Sequence, residues 1–357
     1  MARTFIIAEA GVNHNGDIEM AKRLIEAACE AGADAVKFQT FKAEKLVSRF
    51  AAKAQYQVRN TDAAESQFDM IKKLELDEGA HQLLQAHCRA CGIEFLSTPF
   101  DVDSIEMLVS RFDLSRLKLP SGEVTNAPFL LKAARTGKPV ILSTGMSTLD
   151  EIEAALGVLA FGYLGGNESP SVSCFRKAYA SSAGRELLSL KVILLHCTTE
   201  YPAPVAEVNL RAMDTMRQAF GLPVGYSDHT EGIAVPIAAA AREAAVIEKH
   251  FTLDRTLPGP DHRASLEPDE LRTMVQGIRG IELALGSGEK EAAPSELKNM
   301  SVARKSLVAG CAIAAGERFT CENLVVKRPG SGISPMLFWE YLGRKAEKSY
   351  QADEVIL

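Results

Sequence analysis

The sequence predicts an α/β protein with a (β/α)8 TIM barrel followed by a small β-rich domain. Eight short apolar runs of strand type recur within residues 1–285, and each is followed by a helix or a helix-length segment. Most runs end in a polar loop, which is typical of the carboxyl ends of barrel strands. A doubly wound open sheet is the alternative, but no G-x-G-x-x-G or Walker A sequence follows the first strand.

The first βα unit shows the pattern. Thr4–Ala8 is a strand-type run, and Asp17 is placed to cap a helix whose apolar residues recur at helical spacing until Gly32. The next strand is predicted at Ala35–Thr40. The remaining strands are predicted at Ile93–Ser97, Leu117–Leu119, Pro139–Leu142, Val192–Leu195, Leu222–Tyr226 and Ala245–Ile247. The helices that follow are predicted at Leu76–Cys91, Val102–Phe112, Ala127–Thr136, Thr148–Phe161, Leu210–Phe220, Ile233–Glu243 and Pro268–Leu285.

Three segments lie outside this repeat. Residues 41–73 form a long polar connection, predicted to be a lid or an extra helix, and residues 162–190 are predicted to be a surface excursion. Residues 286–300 are polar and contain Gly and Pro, which predicts a linker. Residues 301–357 carry short β-type runs and form the second domain. A core built from only 57 residues is marginal, so this domain is expected to gain stability by docking on a partner.

Composition excludes several classes of function. The chain is 46% hydrophobic and 24% charged, with a formal net charge of −6 and a pI near 5.8. This balance predicts no nucleic-acid partner and no membrane surface. No apolar run is long enough to span a membrane, and no signal peptide opens the sequence. We therefore expect a cytoplasmic protein.

Polar residues gather where the predicted strands end, which is where barrel enzymes place their active sites. Two lysines on apolar strands, Lys37 and Lys118, accompany hydroxyl residues at Thr98, Ser121 and Ser143. Point charges and hydroxyl donors suit a phosphate and a carboxylate together. The sequence therefore predicts a site for a small anion.

Two histidines follow neighbouring strands at this end of the barrel. His229 and His250 supply imidazole ligands, and the other ligands at the site would be oxygens, which favours an Mn²⁺- or Mg²⁺-like cation over structural Zn²⁺. Glu9, Glu123 and Asp261 remain for proton transfer or for binding sugar hydroxyls.

Two rival functions are open at this point. A strand lysine can form a Schiff base, and Lys37, Lys118 and Lys249 all qualify, so the barrel could be a lysine-dependent aldolase on a related sugar acid. Alternatively, the polar rim could hold a sugar without turning it over. The density of acids, lysines and histidines argues against this non-catalytic sugar-binding barrel.

The motifs at the strand ends resemble those of the bacterial sialic acid (nonulosonic acid) synthases. The matching stretches of the barrel are AEAGVNHNG (8–16), VKFQT (36–40), LSTPF (96–100), LKLPSGE (117–123), ILSTGM (141–146), LLHCTTEYPAP (194–204), VGYSDHT (224–230), IEKHFT (247–252) and PGPDHRASLEP (258–268). In the tail, VARKSL (302–307) and NLVVKRPGSGISP (323–335) are similar to the family's antifreeze-like (SAF) domain. The resemblance extends over nearly the whole chain.

The resemblance implies a transferase. Such enzymes condense phosphoenolpyruvate with an N-acetylmannosamine-type sugar and water, and they release a nine-carbon 2-keto acid and phosphate. It also implies residue roles. Mn²⁺, with Mg²⁺ or Co²⁺ as alternatives, would bind His229 and His250. Phosphoenolpyruvate would bind Lys37, Thr98, Lys118, Ser121, Ser143 and Ser227. The sugar side would be formed by Glu9, Gln39, Glu123, Tyr201 and Asp261, and Arg328 would reach the partner subunit's barrel in a domain-swapped homodimer.

A few positions bear on the choice of sugar. Many N-acetylneuraminate synthases have His, Asn and Leu where this chain has Phe38, Thr199 and Tyr226. The forms found here are more similar to the legionaminate-type branch, which uses 2,4-diacetamido-2,4,6-trideoxymannose instead of N-acetylmannosamine. Both sugars stay open as substrates on this ground, while the chemistry is the same.

Overall fold

Eight parallel strands form one sheet within the residues that the structure, a computed structural model, describes (3–61 and 64–357). They are β1 (Phe5–Gly11), β2 (Ala35–Thr40), β3 (Glu94–Pro99), β4 (Leu117–Leu119), β5 (Val140–Ser143), β6 (Val192–Cys197), β7 (Val224–Asp228) and β8 (Val246–His250). Their order is β3-β2-β1-β8-β7-β6-β5-β4. Because β3 also contacts β4, the two ends of the sheet meet and the barrel is nearly closed. The predicted (β/α)8 fold is confirmed.

Helices follow every strand. The helices of the barrel repeat are Ile18–Ala31, Glu78–Cys91, Val102–Ser110, Ala127–Arg135, Leu149–Leu164, Ala212–Phe220, Ala234–Ala241 and Pro268–Leu285. Asp17 caps the first of them as predicted, since its side chain accepts hydrogen bonds from two backbone amides of the first turn. Gly32 ends that helix in the left-handed region, with φ of +82°. Among the described residues, no helix combines the length and the apolarity that a membrane span requires.

Both insertions contain helices. In the part of residues 41–73 that the structure describes (41–61 and 64–73) there are three short ones, Ala43–Leu46, Gln55–Asn60 and Gln67–Lys72. Residues 162–190 are mostly helical as well, in Val172–Ala180 and Ser182–Lys191. This segment was predicted only as a surface excursion. Two of its serines cap these helices: Ser171 and Ser181 accept hydrogen bonds from backbone amides three residues further on.

The inside of the barrel is layered. Side chains alternate along each strand, and the inward-facing residues near the amino ends are aliphatic: Ile7, Ala35, Leu96, Ile141, Leu195 and Val246. Two positions further along the same strands come Glu9, Lys37, Thr98, Ser143, Cys197 and Glu248, which line a cavity. The aliphatic layer thus forms the floor on which a polar site stands, while outward-facing residues pack against the helices.

The C-terminal part is a second compact unit. The chain divides after Gly286, and the second unit is Ser287–Leu357. Its antiparallel strands are β9 (Ser306–Ala309) and β10 (Leu324–Lys327), where short β-type runs were predicted. Its core consists of Leu307, Ala309, Ile313, Phe319, Leu324, Ala346, Tyr350 and Ile356. The segment predicted as a linker, 286–300, contains most of the helix Pro294–Ala303, which its polar composition concealed.

Candidate active site

A cavity of about 350 Å³ lies at the carboxyl ends of the barrel strands. Most of the residues predicted for the site line it: Glu9, Lys37, Gln39, Thr98, Lys118, Ser121, Ser143, Tyr201, Ser227, His229, His250 and Asp261. Two are not brought into this lining. Glu123 lies on the 3₁₀ turn Ser121–Glu123, where its carboxylate accepts a hydrogen bond from Asn126 at 2.6 Å. Arg328 belongs to the second unit.

Four buried charges form the centre of the cavity, and we call them the charged cluster: Glu9, Lys37, Lys118 and Glu248. The ammonium group of Lys37 lies 2.5 Å from Glu9 Oε2 and 3.5 Å from Glu248 Oε2. Lys118 Nζ lies 3.2 Å from Glu248 Oε1. Since all four side chains are almost fully buried, these ion pairs are shielded from solvent.

The two carboxyl groups of the charged cluster differ in protonation. Burial alone would raise the pKa of Glu248, but Lys118, Lys37 and a hydrogen bond from Ser227 outweigh it and hold that pKa well below its usual range. Burial raises the pKa of Glu9 to about 7, against the lowering effect of Lys37. Glu248 is therefore a permanent anion, while Glu9 can exchange a proton near neutral pH.

Four hydroxyl groups surround the charged cluster. Thr98 accepts a hydrogen bond from one of its lysines at 2.6 Å, and Ser227 donates to one of its carboxylates at 2.7 Å. Ser121 Oγ accepts a hydrogen bond from the backbone amide of Gly145 at 2.9 Å. The buried hydroxyl of Ser143 has no hydrogen-bond partner within the described part of the chain. It is thus available to a ligand.

The two predicted histidines face each other beside this cluster. The ring centroids of His229 and His250 are 5.6 Å apart. His229 Nδ1 lies 2.6 Å from the carbonyl oxygen of Thr198, so Nδ1 carries the proton and Nε2 keeps its lone pair. Burial lowers the pKa of both imidazoles. Both are therefore neutral, the form that binds metal ions.

This pair fits a divalent cation. His250 Nδ1 is buried without a hydrogen-bond partner among the described residues, and it lies 3.9 Å from Asp261 Oδ2. Within residues 3–61 and 64–357, no group of three or more His, Cys, Asp or Glu side chains is arranged to hold a metal by itself. A cation held by these two histidines would thus take further ligands from water or substrate, as catalytic metal sites do.

Three further polar residues predicted for the site also line the cavity. The Tyr201 ring packs against that of His229 at 4.2 Å and meets that of His250 edge-on at 5.6 Å. Gln39 Nε2 lies 3.5 Å from Glu9 Oε1. Burial raises the pKa of Asp261 to about 6. Together they offer hydrogen-bonding groups and an aromatic face, which suit a polar organic substrate.

Glu248 was not among the residues predicted for the site from the sequence. The structure shows it between both lysines at the centre of the cavity. The signal was present in the sequence, because Glu248 precedes His250 by two residues on one strand and must face the same side. Cys197 also lines the cavity and was likewise given no role, while Thr199, another lining residue, was considered only as a position that bears on the choice of sugar.

Comparison with protein families identifies both parts of the chain. Residues 24–290 match the NeuB family, and residues 304–357 match the SAF domain. The chain belongs to the NeuB family. This family condenses phosphoenolpyruvate with a sugar to give a nonulosonic acid, and the protein is an enzyme of the transferase class. Its site fits the divalent metal on which the family depends.

Two relatives and one solved structure are similar over most of the chain. The N,N'-diacetyllegionaminic acid synthase of Campylobacter jejuni is 51% identical over 100% of this chain and 99% of its own. The Legionella pneumophila enzyme of the same name is 45% identical over 99% of this chain and 93% of its own. The crystal structure of the N-acetylneuraminic acid synthetase from Leptospira borgpetersenii is 35% identical, with a TM-score of 0.66 over 84% of this chain and 90% of that one.

Proposed function

We propose that the protein condenses phosphoenolpyruvate with 2,4-diacetamido-2,4,6-trideoxymannose and water to give N,N'-diacetyllegionaminate and phosphate. The observation that carries the proposal is a single cavity in which two buried lysines face two neutral histidines. The higher identity to the two legionaminic acid synthases supports this sugar over N-acetylmannosamine. Because phosphoenolpyruvate is a metabolite of the cytoplasm, we place the reaction there.

Phosphoenolpyruvate binds an anion cradle in this proposal, made of Lys37, Thr98, Lys118, Ser121, Ser143 and Ser227. The two lysines supply the charge for a phosphate and a carboxylate, and the hydroxyls supply directed hydrogen bonds. Glu9 and Glu248 hold both ammonium groups in place before the substrate arrives. Such preorganisation reduces the cost of orienting the substrate.

His229 and His250 hold the cation, which we propose to be Mn²⁺, with Mg²⁺ or Co²⁺ as alternatives. Imidazole together with oxygen ligands suits a metal of this type. When bound, the cation supplies Lewis acidity to the aldehyde oxygen of the open-chain sugar. The sugar lies against Gln39, Tyr201 and Asp261.

The reaction forms a C–C bond and a C–O bond and breaks the C–O bond to phosphate, and the two protons of the added water end on the new hydroxyl group and on the departing phosphate. C3 of phosphoenolpyruvate attacks the aldehyde carbon of the sugar, and water adds at C2. The resulting tetrahedral centre then loses phosphate by cleavage of the C–O bond. Glu9 is the stronger of the two proposed proton carriers, since its pKa is about 7 and it lies inside the cavity, whereas Glu123 lies outside the lining.

A side-by-side assay tests the sugar. We expect kcat/KM for 2,4-diacetamido-2,4,6-trideoxymannose to exceed that for N-acetylmannosamine by about 10²-fold, because a site that hydrogen-bonds the second acetamido group discriminates against a sugar that lacks it. With N-acetylmannosamine 6-phosphate as the sugar, phosphate release from phosphoenolpyruvate should not exceed the background. The measurement is phosphate release from phosphoenolpyruvate at matched concentrations. Equal or faster turnover of N-acetylmannosamine or its 6-phosphate would contradict the proposed substrate.

We further propose a domain-swapped homodimer in which Arg328 of one subunit completes the sugar site of the other. Arg328 is exposed within its own unit, where its Nε donates to the carbonyl oxygen of Ala303 at 3.1 Å. The small core of that unit would also gain stability from docking on a partner. The likeness of 323–335 to the family's tail motif supports this role.

Mixed dimers test the exchange. Lys118→Met and Arg328→Ala each damage a different part of the site, so neither homodimer should approach wild-type activity. In a randomly reassembled equal mixture, about one quarter of all sites would pair an intact barrel with an intact arginine. We therefore expect activity to recover to about that fraction. A mixture of Lys118→Met with Lys37→Met, two barrel variants, should stay inactive, and a lack of recovery in the first mixture would contradict the exchange.

A further inference from the structure

We propose that a buried ion pair, Asp228–Lys249, is a positioning pair that sets the spacing of His229 and His250. The proposal rests on the proposed cation-binding role of these two histidines. It concerns residues that do not line the cavity. It explains why a charged pair is found on the far side of the strands from the reacting groups.

The position of the pair follows from strand geometry. Ser227 and His229 line the cavity from β7 and the loop that follows it, and Glu248 and His250 line it from β8. The residue between Ser227 and His229, and the residue between Glu248 and His250, must therefore face outward, toward the helices. Asp228 and Lys249 are direct partners in the register of the two strands. Both side chains are 0% exposed, so neither can touch a substrate.

The contacts of the pair surround His229. Lys249 Nζ lies 2.6 Å from Asp228 Oδ2 and also donates to the carbonyl oxygen of Thr230. Thr230 donates to Asp228 in turn, from its amide at 3.1 Å and from its hydroxyl at 2.9 Å. One ammonium group thus fixes the residues on both sides of His229. It projects from the residue that directly precedes His250.

The contacts of the Asp228–Lys249 pair extend past the end of strand β7. β7 ends at Asp228, so His229 lies beyond the last ladder residue of its strand. Its other restraints come from the β6 loop, through Thr198 at its ring and Ala203 at its carbonyl oxygen. Neither of these links it to β8. The ion pair therefore adds a side-chain link, which reaches Thr230 beyond the last β7–β8 ladder pair, between the segments that carry the two histidines.

Stability alone is a weak reason for such a pair. Removing two charges from water is costly, and apolar residues of similar size often replace a buried ion pair without loss of stability. Losing an outer partner of a metal ligand, in contrast, typically lowers metal affinity about 10- to 100-fold. This difference separates a positioning role from a merely structural one.

The test is Mn²⁺ binding to the full-length double variant Asp228→Asn/Lys249→Met, which removes both charges and so leaves no unpaired one. Free Mn²⁺ is followed by electron paramagnetic resonance without substrates, and thermal unfolding is measured in parallel. We expect a Tm close to that of the wild type and a Kd for Mn²⁺ raised by about 10- to 100-fold. The single variant Lys249→Met leaves the buried charge of Asp228 without its partner cation, so it should be less stable than the double variant.

A second ion pair provides the matched control. Arg279 and Asp34 lie 2.6 Å apart and connect the last barrel helix to the start of β2, away from the cavity. Arg279→Met/Asp34→Asn should leave the Kd for Mn²⁺ unchanged. A folded Asp228→Asn/Lys249→Met protein with wild-type Kd would overturn this inference alone. A wild-type protein that binds no Mn²⁺ would overturn the cation-binding role of the histidines, and this inference with it.

Discussion

Lys118→Met should lower kcat/KM for phosphoenolpyruvate by about 30- to 4,000-fold, since losing one partner of a buried, hydrogen-bonded charge pair at a binding site costs about 2–5 kcal/mol. Lys118 is one of two cations in the anion cradle, and its ammonium group lies 3.2 Å from Glu248. The methionine side chain keeps most of the volume but offers no charge to the phosphate or carboxylate. Lys118→Arg should not restore the rate, because a planar guanidinium does not fit the place of a compact ammonium. Steady-state kinetics with phosphoenolpyruvate as the varied substrate measures the effect.

Two further variants separate binding from stability. Lys118→Met leaves Glu248 with Lys37 as its remaining cation, so the protein should also lose thermal stability. Adding Glu248→Gln removes the carboxylate charge that has lost one of its cations, and it should raise the Tm again without restoring activity. Lys138→Met removes a half-buried lysine that pairs with the exposed Asp113 and does not line the cavity, so it should keep wild-type kinetics. Recovery of activity in the Lys118→Met/Glu248→Gln double variant would show that Lys118 does not bind the substrate.

The barrel could be predicted from sequence because it repeats. Each strand is an apolar run followed by an amphipathic helix, and eight repeats leave few alternatives. The insertion 162–190 was predicted only as a surface excursion, and its two helices, which Ser171 and Ser181 cap, were not predicted. A serine favours both states, and only the packing of the following helix decides between them.

The site could be predicted in outline but not in its electrostatics. Strand ends identify which side chains share the rim, as they do for His229 and His250. They do not show that Glu248 lies between two lysines while Glu9 has a pKa of about 7. That difference depends on distances of a few ångströms across the barrel, which a linear pattern does not encode.

Removal of divalent cations should reduce phosphate release to less than about 1% of the loaded enzyme, and Mn²⁺ should restore it. The reason is that none of the three candidate lysines suits covalent catalysis. Glu248 and Glu9 raise the pKa of Lys37 against the effect of burial, whereas a Schiff base needs a neutral amine, and Lys118 Nζ is engaged in an ion pair with Glu248 at 3.2 Å. Lys249 faces away from the cavity. Reactivation by Mn²⁺ after chelation, with Mg²⁺ and Co²⁺ alongside, also ranks the metals.

The most direct test of this account combines chelation with borohydride treatment during turnover, followed by intact-mass spectrometry and phosphate analysis. Phosphoenolpyruvate and 2,4-diacetamido-2,4,6-trideoxymannose are supplied to metal-loaded and metal-free protein. We expect phosphate release from the loaded protein alone and an unchanged protein mass in both samples. Continued product formation without metal, together with a borohydride-stabilised adduct on Lys37, Lys118 or Lys249, would contradict the account and establish a Schiff-base aldolase.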